Sequence, residues 1–248
     1  MTQSLQIPNG IPMYLLSTLL NDFDPIFCQA CGNSIHFIGA RNHLAVHLKI
    51  FARDEDLFYM ADMNWNYRYA FNSDGVKESI DWFRTKANSN KSDGLSIEPH
   101  ENEICISNSV VNTKLLSFVE RPPIPKIPEM DDGVLVKITD LKEMVGQVSS
   151  IGEETVRLIL SDSELRMSGS THDHTVYTVH TVQPQKSNKT EQERSTLCFK
   201  EMLLISCRLA SEVAPSLTEL RFYPGGASQI YATGSNVSVR CLLTAVKQ

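Results

Sequence analysis

The chain has 248 residues, 42% of them apolar and 21% charged, and 23 basic against 29 acidic residues give a net charge of −6. Such a composition fills the core of one large domain or of two domains of about 120 residues each, and it excludes intrinsic disorder and a disulfide-stapled miniprotein. No apolar run reaches the roughly 18 residues of a membrane span; the longest, Ile11 to Leu20, is broken by Pro12, Ser17 and Thr18 and lacks the basic flank of a signal peptide, so a soluble intracellular chain is expected. The acidic balance gives no overall basic footprint for nucleic acid, although basic residues gathered on one surface suffice for binding. Cys28, Cys31, Cys105, Cys198, Cys207 and Cys241 are scattered through apolar segments and read as reduced core thiols. Asn188-Lys-Thr190 and Asn236-Val-Ser238 match the glycosylation pattern, with nothing else to suggest secretion.

Taken in chain order, Pro12 to Phe23 places Leu16, Leu19, Leu20 and Phe23 at helical spacing. Phe27 to Ile38 reads as two short strands around Gly32-Asn33, and Leu44, Val46, Leu48 and Ile50 alternate as in a half-buried strand. Trp65, Tyr67 and Tyr69 alternate as well, which suits a strand with an aromatic face better than base stacking. Val76, Ile80, Phe83 and Ala87 form a second helical stripe behind a cap at Asn72-Ser-Asp74. Leu95, Ile97, Ile104 and Ile106 make a hairpin, and Val110 to Val119 closes the half. Ser117 to Gly133, with Pro122, Pro123, Pro125 and Pro128, reads as an extended crossover, since proline fixes φ and removes a donor.

The second half repeats this order. Leu141, Met144, Val145 and Val148 give a helix, Val156 to Met167 a strand pair around Asp162-Ser163, and Thr175 to Val182 an alternating strand. Gln183 to Ser195 reads as a polar loop. Phe199, Met202, Leu203, Ser206 and Ala210 then make a helical stripe, followed by a hairpin through Pro224-Gly225-Gly226 and a final strand from Val237 to Val246. Ile35 matches Leu165, Phe37 Met167, Gly39 Gly169, Leu95 Leu220, Pro99 Pro224 and Lys114 Arg240, at offsets of 125 to 130 residues, which points to an internal duplication.

This order, run twice with a proline-containing connector between, resembles the sliding clamps of DNA replication, of the proliferating cell nuclear antigen and phage clamp types. Gly39-Ala-Arg-Asn-His43 leading into Leu44-Ala-Val-His-Leu-Lys-Ile50 is similar to the family's His-containing segment before an alternating strand. Leu141 to Gly152 looks like the first helix of the family's second domain, and Leu115 to Ile138 resembles the interdomain connector in length and placing. The resemblance implies an α+β fold of two tandem clamp domains, each a duplicated β-α-β-β-β unit with helices on one side and sheets on the other. It sets domain 1 at residues 1–120, the connector at 121–133 and domain 2 at 134–248. Three such chains would close as a pseudo-sixfold ring whose helices face the DNA backbone.

A closed ring holds DNA by topology and needs only weak, sequence-independent phosphate contacts. The candidates for those contacts are Lys77, Arg84, Lys86, Lys142, Lys200 and Arg208, which share their helices with Asp74, Glu78, Asp81, Asp140, Glu143, Glu201 and Glu212; the first helix carries no Lys or Arg. Carried over by position, the family's partner-peptide groove falls on His43, Ile124, Ile127, Pro128, Met130 and Pro224, with Ala40 where the family usually has an acidic residue. Apolar side chains in an extended connector either line such a groove or pin the connector to its own domain. The implied partners are duplex DNA, a DNA polymerase and a clamp loader bound through short peptide motifs, and further copies of the chain. No membrane, cofactor or catalytic residue is expected, and the place of action is with DNA, in a nucleus or a prokaryotic or viral replication compartment.

Other chemistry fits less well. Cys28-Gln-Ala-Cys31 has zinc-knuckle spacing without a second pair. There is no phosphate loop, dinucleotide fingerprint or G-x-S-x-G elbow. The alternatives are a subunit of a hetero-oligomeric checkpoint-type clamp and, from another class, a metal-dependent hydrolase using His172, Asp173 and His174.

Overall fold

A computed structural model of the chain describes residues 5–7, 11–24, 26–31, 34–51, 69–71, 95–99, 103–107, 112–116, 133–149, 154–161, 164–170, 175–181, 183–184, 194–223 and 225–246. Two compact units emerge. One comprises Met1–Arg41, His47–Lys126 and Ser235–Ser238, the other Asn42–Val46, Ile127–Gly234 and Val239–Gln248.

In the first unit the elements run β1 (Leu5–Ile7), α1 (Ile11–Asp22), β2 (Ile26–Cys31), β3 (Ser34–Arg41), β4 (Leu44–Phe51, in this unit from His47 on), β5 (Tyr69–Phe71), β6 (Leu95–Pro99), β7 (Glu103–Ser107) and β8 (Asn112–Leu116). Two antiparallel arrays result, β1-β6-β7-β8 and β5-β2-β3-β4. The strand ahead of α1 thus joins the later hairpin, Leu5 opposite Ile97, while β5 joins the earlier one, Phe71 opposite Ile26. Pro12 sits in the first turn of α1, where its missing N–H forfeits no helical bond. Leu15, Leu16, Leu19 and Phe23 are buried, and the Phe23 N–H donates to the Leu19 carbonyl at 3.0 Å, carrying the helix into its end. On β4, Leu44, Val46, Leu48 and Ile50 are buried and the residues between them half-buried, as their alternation predicts.

The second unit has the same plan. Its elements are β9 (Val134–Val136), α2 (Ile138–Ser149), β10 (Thr155–Ser161), β11 (Glu164–Ser170), β12 (Thr175–Thr181), β13 (Gln183–Pro184), β14 (Arg194–Phe199), α3 (Lys200–Val213), β15 (Thr218–Phe222), β16 (Ser228–Thr233) and β17 (Val237–Leu243, in this unit from Val239 on). One array is β12-β11-β10-β14 and the other β13-β9-β15-β16-β17. Here each helix-preceding strand crosses over: β14 pairs with β10, Phe199 opposite Thr155, and β9 pairs with β15, Val134 opposite Leu220. Each β-α-β-β-β repeat therefore completes the sheet of the other, which locks the pair into one unit.

Leu141, Met144, Val145 and Val148 of α2 are buried, as are Met202, Leu203, Ser206, Cys207, Leu209, Ala210 and Val213 of α3. Each fully buried leucine contributes about 1.5–3 kcal/mol. Buried Ser206 is satisfied locally, its hydroxyl donating to the Met202 carbonyl at 2.8 Å. The β15–β16 connection is the expected Gly-Gly turn. The Gly226 N–H donates to the Tyr223 carbonyl at 3.2 Å, and Gly225 and Gly226 take φ of 94° and 88°, values that side-chain-bearing residues avoid.

One expectation is revised. The polar loop is shorter than Gln183 to Ser195, because Gln183 and Pro184 pair with Leu135 and Val134 and because Arg194 and Ser195 belong to β14. β13 is an edge strand, the one place in a sheet that tolerates proline. The helical stripe at Val76–Ala87, Trp65, Tyr67 and nearly all of the connector lie outside the described residues. Among the described residues no helix is long and apolar enough to cross a membrane.

Candidate nucleic-acid interface and docking surface

In the second unit α2 and α3 pack against each other. Apolar residues at helical spacing go inward, so the intervening positions are left outside: Thr139, Lys142, Glu143, Gly146 and Gln147 on α2, and Glu201, Leu204, Arg208 and Glu212 on α3. One of the predicted basic residues, Lys142, reaches across to the other helix. Lys142 Nζ donates to Ser211 Oγ at 3.2 Å, and Ser211 Oγ donates to the Arg208 carbonyl at 2.7 Å. Lys200, half-exposed, opens α3, its backbone N–H held by the Glu154 carbonyl at 2.8 Å. It stands eight residues before Arg208, about 12 Å along the helix axis. A cation there opposes the helix dipole, and Glu201 in the first turn offsets it. Glu143 accepts from Gln147 Nε2 at 3.1 Å. The surface is thus of mixed sign, suited to a few weak phosphate contacts and not to tight anion binding.

The second predicted site is built around a turn. Asn42 adopts φ 48°, a left-handed conformation that Asn tolerates, and this reverses the chain just ahead of β4 to present His43. The His43 ring lies 5.0 Å from that of Phe199, tilted by 51°. His43 Nδ1 is 3.2 Å from Thr244 Oγ1, and the Thr244 N–H donates to the His43 carbonyl at 2.9 Å. Two residues on, the Val246 N–H donates to the Leu197 carbonyl at 2.9 Å. A side chain placed at Gly226 would touch Ala245 Cβ at 3.4 Å. His43, β14, the Gly-Gly turn and the stretch after β17 therefore converge on one surface.

Sequence reasoning found His43 in this group but not Phe199, Thr244, Ala245 or Val246; the helical stripe had claimed Phe199 as a core position. Ser211, which joins Lys142 to the Arg208 carbonyl, was also missed, since a half-buried serine on a helix gives no signal of its own. Lys77, Arg84, Lys86, Ile124, Ile127, Pro128, Met130 and Pro224 lie outside the described residues, as do His172, Asp173 and His174. Among the described residues there is no group of three or more His, Cys, Asp or Glu side chains able to hold a metal ion. Cys28 is buried in β2 with its thiol free.

Neither a protein-family model nor a curated protein sequence matches this chain. Solved structures do. The proliferating cell nuclear antigen of A. fulgidus, solved with the C-terminal region of FEN-1, matches with a TM-score of 0.72 over 98% of both chains at 12% identity. That of Entamoeba histolytica matches with a TM-score of 0.70 over 100% of both at 11% identity. The DNA polymerase sliding clamp of Pseudomonas aeruginosa, solved with a ligand, gives 0.72 over 99% of this chain and 67% of its own at 9% identity. At such identities the likeness is one of fold.

Proposed function

We propose that this chain, which has the α+β fold of the DNA sliding clamps, is itself a clamp: a non-enzymatic processivity factor that closes around duplex DNA as a ring of three chains and tethers a DNA polymerase. The observation that carries this reading is the end-to-end likeness to nuclear-antigen clamps, with 98–100% of each chain covered. In this reading residues 1–120 and 134–248 are the two clamp domains and 121–133 the connector, and the protein works wherever its DNA is replicated.

The sheet edges support closure. Among the described residues β8 and β12 are the outer strands of their arrays. Thr175 to Thr181 of β12 carries no Lys, Asp, Glu or Pro, the usual guards of an open edge. The opposite outer strand, β14, is covered by the Val246 contact, and β1 has only three residues. Pairing of β12 in one chain with β8 in the next closes a head-to-tail ring.

DNA is held through Lys77, Arg84, Lys86, Lys142, Lys200 and Arg208. The polymerase and loader dock by peptide motifs on the surface of His43, Ile124, Ile127, Pro128, Met130 and Pro224, to which Phe199 and Ala245 are added. Light scattering over a dilution series should give a species near 83 kDa, three times 27.8 kDa, retained on circular DNA and lost when the circle is cut. A strict monomer overturns the self-closing ring and leaves a hetero-oligomeric subunit. Replacing Lys142, Lys200 and Arg208 by Gln should preserve the mass while flattening the plot of log K against log salt by about 2.7 per chain, at about 0.9 per phosphate; an unchanged slope rejects these contacts. A synthetic peptide with hydrophobic anchors should shift the NMR signals of His43, Phe199 and Ala245, and shifts confined to other residues reject the docking surface.

A further inference from the structure

In the first unit, on the neighbouring strands β3 and β4, Ser34, His36 and His47 form a short polar chain. Ser34 Oγ lies 3.0 Å from His36 Nε2, and His36 Nδ1 lies 3.0 Å from His47 Nε2. The imidazole centroids are 5.0 Å apart with 33° between their planes. Both rings are half-buried, whereas Ser34 is buried. Lys49, next after His47 on the same face of β4, holds its ammonium 4.7 Å from the Phe51 ring centre. Neither histidine has a role in the DNA or peptide surfaces.

A neutral imidazole offers one N–H and one lone pair. With the Ser34 hydroxyl accepting from Nε2–H, His36 presents its Nδ1 lone pair toward His47. When His47 carries its proton on Nδ1, two lone pairs face one point. A late first-row cation bonds imidazole at about 2.0–2.1 Å, and two such bonds at right-angled to tetrahedral openings span about 2.9–3.4 Å. The two nitrogens, 3.0 Å apart and joined by a hydrogen bond, already stand within that span, so a cation can take the place of the shared proton. The side chains are carried on adjacent strands, whose fixed spacing preorganises the pair. Ser34 then acts as the outer partner that holds a ligating ring in its tautomer.

From this geometry we propose that His36 and His47 form a two-imidazole chelate for a late first-row divalent cation, with water completing the coordination sphere. Affinity follows Cu²⁺ above Ni²⁺ and Zn²⁺, and imidazole donors disfavour Mg²⁺ and Ca²⁺.

The test is calorimetric titration of the full chain with NiCl₂ and with ZnCl₂ in a non-chelating buffer. Wild type should take up one equivalent that His36→Gln and His47→Gln each weaken at least tenfold, the double variant being no weaker than either. Non-additivity is what a chelate requires, because one ligand lost already destroys it. Ser34→Ala, which keeps both ligands and guards against misfolded histidine variants, should weaken binding about tenfold. His172→Gln/His174→Gln, removing the other closely spaced pair, should leave that equivalent intact. Wild-type affinity in His36→Gln and His47→Gln, loss of the equivalent only in His172→Gln/His174→Gln, or no uptake by wild type at millimolar metal overturns the proposal.

Discussion

Gly39→Ala should destabilise the protein by about 3 kcal/mol, the upper part of the usual cost of overpacking, and lower Tm by roughly 6–12 °C at about 2–4 °C per kcal/mol. A Cβ at this position of β3 would stand 2.7 Å from Phe23 Cβ, 2.8 Å from Phe23 Cγ and 3.0 Å from Ile26 Cδ1. The first two atoms are the root of a buried side chain whose backbone N–H is tied to Leu19, so they cannot swing aside as a side-chain tip would. Relief requires the end of α1 to lift from the sheet. Gly146 is the matched control, lying in α2 with nothing within 4 Å of an added Cβ. Gly146→Ala should stabilise by about 0.5–1 kcal/mol, through helix propensity alone. Urea denaturation of the two variants separates them by sign, and a Gly39→Ala variant as stable as wild type would show that α1 does not rest on β3.

Gly39 also shows why the duplication was legible. Its counterpart Gly169 lies 130 positions on, and the same offset relates Ile35 to Leu165 and Phe37 to Met167. In the structure Phe37 faces Cys28 and Ile35 faces Ala30, just as Met167 faces Leu158 and Leu165 faces Leu160. Each pair of strands is joined through two residues, so the hydrophobic alternation fixes the register and the register fixes the match. Helix faces were legible for the same reason, since a period of 3.6 needs no knowledge of the neighbour.

What escaped depends on partners distant in sequence. The crossing of β9 and β14 between sheets leaves no local trace, and neither does the pairing that makes Gln183–Pro184 a strand. His43 was found through its likeness to a family segment, but its neighbours Phe199 and Thr244 come from elements 156 and 201 positions away. Lys142 and Arg208 were legible as exposed cations; that Ser211 joins Lys142 to the Arg208 carbonyl was not. The His36–His47 pair was equally hidden, because β4 predicts that His47 faces away from the core but not which side chain lies opposite.

The buried thiols lead to the second large effect, a loss of stability above about pH 9. Burial pushes Cys198, Cys207 and Cys241 up to about 12, with Cys207 adding to the rise at the other two and the Ser206 hydroxyl partly opposing it at Cys241. Burial raises Cys28 further still. The unfolded thiols ionise near 9.0. Below that pH both states keep the proton and the thiols cost nothing. Above it the unfolded chain releases protons that the folded chain retains, so each thiol removes about 1.4 kcal/mol per pH unit until the folded value is reached. At pH 10 the four together remove about 6 kcal/mol, comparable with the whole stability of an ordinary domain. Urea denaturation at pH 7.5 and pH 10 measures this directly. Cys207→Ala leaves a cavity and lowers stability at both values, yet it should reduce the difference between them by about one thiol's share. Alkylation should track unfolding, because a protonated thiol is not a nucleophile. Stability that stays level from pH 8 to pH 10 would mean that these thiols ionise in place, and that α3 does not seal Cys198 of β14 and Cys241 of β17 from water.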